Sequence, residues 1–312
     1  MSFIDRLNEV KPCDPADYLP FYVDGIPVGM MTASFAHSLA DFPDTFTVSA
    51  DRVTLSPALS DPVLSGPDTK TRAVADVLAQ LRDRGVIAGW RDELYPVSTA
   101  LHTPSLFDME RAAAGHFGIQ SHAISLNGFV RRDDGLHLWI ARRAMTKATY
   151  PGEMDLMVGG GHPAGIELHE NLIKECHEEA GVDRALAETA VPVGGISFCS
   201  ELCGEVIDQF QFIYDLEVPD TFTPQNVDGE VDDFYLWPVR EVMETIQNSN
   251  AFMFDSALVI IDFLIRHGLI GADHPEYSAL VLGLRQPSPT QSRRLAEART
   301  RAQQQGSPHG NS

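Results

Sequence analysis

One segment of this 312-residue chain constrains the fold more than any other, because its helix breakers occur at its two ends only. Glycines and a proline within residues 159–165 exclude a helix at its beginning. Residues 168–179 contain neither glycine nor proline, and Gly181 follows at a position typical of a helix C-terminus. The sequence therefore predicts a loop, a helix and a second loop.

Three glutamates of the predicted helix share one face. Glu175, Glu178 and Glu179 fall within an arc of roughly 100°, because residues three and four apart are neighbours on a helix. An adjoining apolar stripe can dock the helix on a sheet, and it consists of Leu168, Leu172, Cys176 and Ala180. Like charges at this spacing repel one another, and a divalent cation would remove the repulsion.

The acidic face predicts a metal-dependent reaction of a diphosphate. Carboxylate oxygens are the ligands that Mg²⁺ and Mn²⁺ prefer, and these ions also bridge to substrate phosphates. A carboxylate can help to deprotonate a metal-bound water, which then attacks phosphorus. The alternative interpretation is a solvated acidic face, since charged side chains are mostly exposed.

The same segment resembles the Nudix box, in which a glycine loop precedes a helix with the pattern Arg-Glu-apolar-any-Glu-Glu-any-Gly-apolar. With Glu178 and Glu179 at the paired glutamates, Gly181 falls on the glycine that follows them. Glu175 then takes the position of the preceding glutamate, and Gly160 that of the first glycine. Most fixed positions of the box therefore fit this sequence.

Two positions differ from the box. Lys174 replaces the arginine, which keeps the positive charge but loses the planar guanidinium. Ile166 stands where the box has its first glutamate, and Glu167 lies one residue later. The three helix carboxylates are unaffected by either difference.

The resemblance implies an α+β chain with a Nudix α/β/α sandwich and a mixed sheet. It also implies an enzyme that hydrolyses phosphoric anhydrides with Mg²⁺, for which Mn²⁺ is a substitute. The metal is then expected at Glu175, Glu178 and Glu179, with the backbone carbonyl of Gly160. One of these glutamates or Glu230 is expected to assist the attacking water.

Nudix enzymes often take a further ligand or base from a later loop. Glu230 follows a turn-like Asp-Gly pair and is the candidate for this role. Glu201 and Glu205 are its competitors, and the alternative for Glu230 is an exposed loop acid.

A basic cluster precedes the box and is predicted to bind the substrate phosphates; its members are Arg142, Arg143 and Lys147. A diphosphate needs counter-charge, and arginine can hold phosphate through two hydrogen bonds. The alternative is a solvated strand end.

Further segments resemble the Nudix subfamily related to the domain fused to fungal thiamine pyrophosphokinase; they are residues 147–152, 194–198, 214–216, 228–231 and 261–268. This resemblance implies an N-terminal companion domain and, as substrate, an oxidised thiamine diphosphate analogue that yields the monophosphate and phosphate. One alternative is a phosphatase of oxidised nucleoside diphosphates, such as 8-oxo-dGDP. Another is a non-catalytic Nudix-like sensor or interaction module.

The distribution of apolar runs and turn residues predicts three regions in the chain. Residues 1–118 mix short apolar runs, turns and an amphipathic helix, which indicates a smaller α+β domain. Residues 119–282, beginning with a predicted hairpin at 123–141, form the Nudix domain. Residues 283–312 lose apolar periodicity and are predicted to be a mobile tail, within which 292–304 could form an exposed helix.

The net charge of −21 argues against nucleic acid or an anionic membrane as a partner, because both would repel such a surface. A small-molecule diphosphate is the expected partner, and a homodimer is expected from the general frequency of symmetric dimers. The N-terminal residues carry charges instead of the apolar core of a signal peptide, which predicts a cytoplasmic location. Four cysteines in a chain of this length predict reduced thiols.

Overall fold

The computed structural model describes residues 2–9, 11–59 and 66–305 of the chain. The strands are β1 (Lys11–Pro12), β2 (Leu19–Val23), β3 (Ile26–Met31), β4 (Phe46–Val48), β5 (Val53–Leu55), β6 (Leu94–Val97), β7 (Phe107–Glu110), β8 (Gln120–Arg132), β9 (Gly135–Arg143), β10 (Met154–Asp155), β11 (Val158–Gly161), β12 (Val191–Leu202), β13 (Glu205–Glu217) and β14 (Val231–Pro238).

The α-helices are α1 (Phe3–Leu7), α2 (Ala33–Leu39), α3 (Pro67–Asp83), α4 (Ala114–Phe117), α5 (Leu168–Ala180), α6 (Arg184–Ala187), α7 (Val239–Asn248), α8 (Phe254–Arg266), α9 (Tyr277–Gly283) and α10 (Pro289–Gln305). Short 3-10 helices lie at Pro15–Asp17, Pro57–Leu59 and Arg111–Ala113. Within the described ranges, none of the helices combines the length and apolar character needed to cross a bilayer.

Within its described residues, the chain divides into two compact units. Unit 1 draws on Met1–Lys11, His122–Phe198 and Gln209–Gln286. Unit 2 draws on Pro12–Ser121, Cys199–Asp208 and Pro287–Ser312. The sequence predicts a boundary between residues 118 and 119, close to the division after Ser121. It does not predict that two later segments belong with the N-terminal region.

Side-chain hydrogen bonds explain why these later segments join unit 2. The Tyr18 hydroxyl donates to Glu201 at 2.6 Å, and the Tyr22 hydroxyl donates to Glu297 of α10 at 2.6 Å. Helix α10 also contacts β3. Helix α10 includes the helix that the sequence allows at 292–304, while residues 306–312 of the predicted tail lie outside the described residues. The mobility of the tail stays a prediction.

The largest sheet has eight strands in the order β1-β12-β13-β8-β9-β10, with β11 paired to β8 and β14 paired to β9. Strands β8 and β9 form the predicted antiparallel hairpin. Val130 of β8 belongs to the same buried core as α5, while the ring of the adjacent Phe129 lies 5.7 Å from that of Phe263 in α8. Helices on both faces of a sheet form an α/β/α sandwich, as the resemblance implies.

Unit 2 is a smaller α+β arrangement. It contains a four-stranded sheet of order β3-β2-β5-β4 and the two-stranded sheet β6-β7. Helix α3, predicted over residues 71–84, packs on β7. Its predicted apolar face is buried in the core of this unit, and it consists of Val74, Val77, Leu78 and Leu81. The α+β fold class predicted from the sequence is thus confirmed.

Candidate active site

Helix α5 carries the predicted acidic face and is anchored along its other side. Leu172, Cys176 and Ala180 are fully buried in the core of unit 1. The helix ends at Gly181 in the left-handed conformation, with φ of 63°, as predicted. At its N-terminal end, the side-chain amide of Asn171 donates to the carbonyl of Gly161 at 2.9 Å. The helix and the glycine strand β11 are thereby held together.

Strand β11 brings glycine backbone against the carboxylates of α5. The backbone N–H of Gly159 donates to Oε2 of Glu179 at 2.8 Å. A Cβ atom placed on Gly160 would lie 2.7 Å from Cγ of Glu175, which is closer than such atoms approach. Only glycine at position 160 therefore leaves room for Glu175 in its present position.

The carboxylates of this region act on one another electrostatically. Burial raises the pKa of Glu179 well above its ordinary value, and the charges of Asp155, Glu175 and Glu230 raise it further against the Gly159 hydrogen bond. Burial likewise raises the pKa of Glu175, and Glu178 adds to this rise while Lys174 opposes it. The predicted glutamates therefore form one acidic cluster, which we define as Glu175, Glu178, Glu179 and Glu230.

Glu230 enters the acidic cluster from the loop before β14. Its backbone N–H donates to the Asp228 side chain at 2.8 Å, and its carbonyl accepts from Ala144 N–H at 2.9 Å. The carboxylate forms an ion pair with Lys147. Its predicted competitors, Glu201 and Glu205, belong to unit 2.

Glu201 and Glu205 are held by partners within unit 2. Glu201 accepts the Tyr18 hydroxyl at 2.6 Å, and Glu205 lies 3.4 Å from Nε2 of His116. These contacts explain the positions of both side chains, and neither contact requires a role at the acidic cluster.

The structure separates the three members of the predicted basic cluster. Lys147 lies at the acidic cluster through its ion pair with Glu230. Successive strand residues point to opposite faces, so Arg142 faces away from Trp139, which packs in the same core as α5. The phosphate contact of Arg142 stays a prediction from the sequence.

Arg143 is a structural residue in this arrangement. Its side chain is 13% exposed and pairs with Asp155 at 2.7 Å. It also donates to the carbonyl of Thr149 at 3.0 Å and to that of Tyr150 at 3.2 Å. The guanidinium thus fastens the loop between β9 and β10. Its predicted phosphate contact stays a prediction from the sequence.

Sequence reasoning missed Asp155 and the full role of Lys174. Asp155 is a lone acid on a two-residue strand, so no local pattern singles it out. The sequence identifies Lys174 only as the replacement for the box arginine. In the structure its ammonium group also bridges Glu175 at 3.0 Å and Glu178 at 2.9 Å. Burial opposes a rise in the pKa of Lys174, yet hydrogen bonds to these two glutamates raise it.

The donor chemistry of the acidic cluster fits a hard divalent cation. Among the described residues, no three histidine, cysteine or acidic side chains already converge as a metal site. The carboxylates are instead held by Lys174, Lys147 and the N–H of Gly159. Oxygen donors that raise one another's pKa gain most from a small cation, which offsets their repulsion.

Two relatives from Arabidopsis thaliana match most of the chain. Nudix hydrolase 20, chloroplastic, is 43% identical over 297 residues, which are 91% of this chain and 78% of that protein. Nudix hydrolase 24, chloroplastic, is 43% identical over 277 residues, which are 86% of this chain and 73% of that protein. This chain belongs to the Nudix hydrolase family. It is therefore an enzyme that acts on phosphoric anhydrides, and enzymes of this family generally use divalent metal ions.

Other similarities cover parts of this Nudix hydrolase. Residues 1–121 match a family described as a domain of unknown function, DUF4743. The crystal structure of DR0079 from Deinococcus radiodurans has 23% sequence identity and a TM-score of 0.37 over 46% of this chain and 82% of that chain.

The close approach of Gly160 to Glu175 can be tested by substituting Gly160, with a substitution at Gly159 as the control. Gly160→Ala should leave the protein folded but displace the Glu175 side chain, and we expect turnover to fall at least about 10-fold. Gly159→Ala should have little effect, because a Cβ at that position meets nothing within 4 Å. Steady-state kinetics of both variants at saturating Mg²⁺ test this difference. Equal activities would remove the Gly160 contact from the site.

Alanine substitution is expected to change stability at Arg143 and substrate binding at Lys147, because the two side chains have different partners. Arg143→Ala should lower the free energy of unfolding by at least about 2 kcal/mol, because it leaves Asp155 without its buried partner. Lys147→Ala should leave stability unchanged and raise the Michaelis constant about tenfold, because it removes a cation that can bind the substrate phosphates. Chemical denaturation and kinetics on the same preparations separate the effects. A Michaelis constant raised only by the Arg143 substitution would reverse the two roles.

Proposed function

We propose that this Nudix hydrolase cleaves the diphosphate linkage of an oxidised thiamine diphosphate analogue, giving the monophosphate and inorganic phosphate. We further propose Mg²⁺ as the cofactor, with Mn²⁺ as a substitute. The observation that carries the proposal is the acidic cluster on α5, with glycine backbone on one side and the Glu230 loop on another.

Glu175, Glu178 and Glu179, with the Gly160 carbonyl, would hold the cation. When bound, a divalent cation supplies an acidified water and neutralises charge on the diphosphate. The chain supplies the remaining parts of the reaction. The Glu230 carboxylate can accept the proton of the attacking water, because its loop is joined to α5 by a hydrogen bond from Asp228 N–H to the Glu178 carbonyl at 3.2 Å.

Lys147 is the basic residue best suited to the substrate phosphates. Its ammonium group pairs with Glu230, so it lies beside the group proposed as base. A substrate phosphate can take over this cation and leave the Glu230 carboxylate free to accept a proton. Arg143 contributes indirectly, because it fastens the loop that carries Lys147.

The proposed substrate class rests on the subfamily resemblance of five segments, two of which border the acidic cluster. Residues 147–152 contain Lys147, and residues 228–231 contain Glu230. The companion domain that the subfamily carries is proposed to correspond to residues 1–118. The cytoplasmic location and the homodimer stay predictions from the sequence.

The role of the acidic cluster is tested by charge removal at nearly constant shape. Glu179→Gln should preserve folding and lower turnover at least about 100-fold, because it removes a charged metal ligand. Glu178→Gln should behave similarly. Glu167→Gln is the matched control, because this exposed residue at the helix N-terminus keeps its position and loses only its charge. Equal losses in all three variants would overturn the assignment of ligands.

The substrate class is tested by comparing specificity constants at matched pH, ionic strength and free Mg²⁺. Oxidised thiamine diphosphate should be hydrolysed with a higher kcat/KM than oxidised guanosine diphosphates, and removal of divalent metal should abolish both reactions. The choice between them depends on ring contacts, since both compounds offer the same diphosphate. Glu179→Gln protein controls for contaminating phosphatases.

Each remaining outcome of this comparison favours a different function. A preference for the guanosine compounds would make nucleotide sanitation the better interpretation. Failure of the folded, Mg²⁺-loaded protein to hydrolyse any diphosphate would favour a non-catalytic module.

A further inference from the structure

Two cysteines far apart in sequence lie side by side in unit 2. Cys13 directly follows β1, and Cys199 lies on β12, the strand that neighbours β1 in the sheet. The backbone N–H of Cys13 donates to the carbonyl of Cys199 at 3.3 Å. The two thiol groups are hydrogen-bonded to each other. Both side chains pack against the same small apolar cluster, formed by Tyr18, Met30 and Val206.

We propose that Cys13 and Cys199 form a peroxide-reactive thiol pair, in which Cys13 is the attacking thiol and Cys199 the resolving thiol. Residues paired on neighbouring strands have Cα atoms about 4.5–5.5 Å apart. A disulfide requires about 4.4–6.8 Å between Cα atoms, and the backbone hydrogen bond between Cys13 and Cys199 holds their Cα atoms at a spacing of this order. This modification is independent of the chemistry at the acidic cluster.

The surroundings of the pair distinguish the two thiols. A hydrogen bond from Cys199 lowers the pKa of the Cys13 thiol, while burial and the charges of Asp208 and Glu201 oppose this fall. The hydrogen bond to Cys13 and burial raise the pKa of Cys199. Both thiols are half-buried, so a small oxidant can reach either of them. The more acidic thiol is the one that reacts with peroxide, because the thiolate is the nucleophile.

The proposed reaction consumes one hydrogen peroxide for each disulfide. The Cys13 thiolate attacks one peroxide oxygen, so that a sulfur–oxygen bond forms, the oxygen–oxygen bond breaks and the leaving hydroxide takes up a proton as water. Cys199 sulfur then attacks the sulfenic sulfur of Cys13, and the departing hydroxide takes the Cys199 proton. The two thiols together lose two electrons and two protons, and the peroxide is reduced to two waters.

The other two cysteines provide internal controls. Cys176 is fully buried on α5, where burial raises the pKa of its thiol to about 12, with Glu179 and Glu175 adding to the rise. Cys203 is exposed in the turn between β12 and β13. Exposure alone would make Cys203 the first thiol to react, whereas the proposed pair places Cys13 first.

The experiment treats the full-length protein with graded hydrogen peroxide, alkylates the remaining thiols and maps the products by mass spectrometry without reduction. Cleavage after glutamate separates Cys199 from Cys203, because Glu201 lies between them. Cys203→Ser is the matched control, since it removes the exposed thiol and leaves the pair intact. Circular dichroism checks that each variant is folded.

We expect a peptide pair joined through Cys13 and Cys199, with loss of two alkylatable thiols, in both the unmodified protein and the Cys203→Ser variant. Cys13 should be lost at least about tenfold faster than Cys203. Cys199→Ser should instead accumulate a Cys13 sulfenic acid that dimedone traps.

Two results would overturn the proposal. The first is that Cys13 and Cys199 both remain alkylatable at a peroxide concentration that oxidises Cys203 completely. The second is that the disulfide joins Cys203 to either of them. Activity at the acidic cluster does not enter any of these readouts, so failure of the proposed enzymatic function would leave the test intact.

Discussion

Repulsion between carboxylates on one helix face is the constraint on which the rest of unit 1 depends. An isolated helix would turn Glu175, Glu178 and Glu179 freely into water, where their repulsion costs little. In the fold, the buried stripe of α5 fixes the helix rotation, so Glu179 is buried whether or not a counter-charge is present. Glycine backbone then replaces water as the hydrogen-bond donor to Glu179. The apolar packing of α5 therefore keeps the three carboxylates in place, whereas an isolated helix would turn them into water and weaken their repulsion.

The sheet brings together groups that the sequence keeps far apart. Antiparallel pairing of β14 with β9 sets Val231 opposite Arg143, so the loop that ends at Glu230 meets the loop that begins at Ala144. Pairing of β11 with β8 sets Gly160 opposite Ile124, beneath the helix that carries the glutamates. Two ladders of backbone hydrogen bonds thus fix the positions of these two loops and of strand β11 without any contribution from the charged side chains themselves.

Local signals made the helix and its acidic face predictable. The absence of breakers, the apolar stripe and Gly181 all act within a few residues, and the structure confirms α5 nearly to its ends. Arg143 was not predictable in the same way, because its partner Asp155 becomes its neighbour only through the path of the intervening loop. The same limit applies to α10, whose bond to Tyr22 joins residues separated by most of the chain. Periodicity indicates which face of an element is buried, whereas it does not identify the element that covers it.

Lys174 gives the acidic cluster a counterion that is part of the chain. Because its ammonium group bridges Glu175 and Glu178, binding of a divalent cation at these carboxylates is an exchange reaction and not a simple addition. The apparent dissociation constant then includes the free energy needed to break the ion pairs of Lys174 with Glu175 and Glu178. Ions of high charge density recover that free energy more fully than large monovalent ions do. The Lys174 ammonium group can in this way select among cations, because each cation must displace it from Glu175 and Glu178 in order to bind.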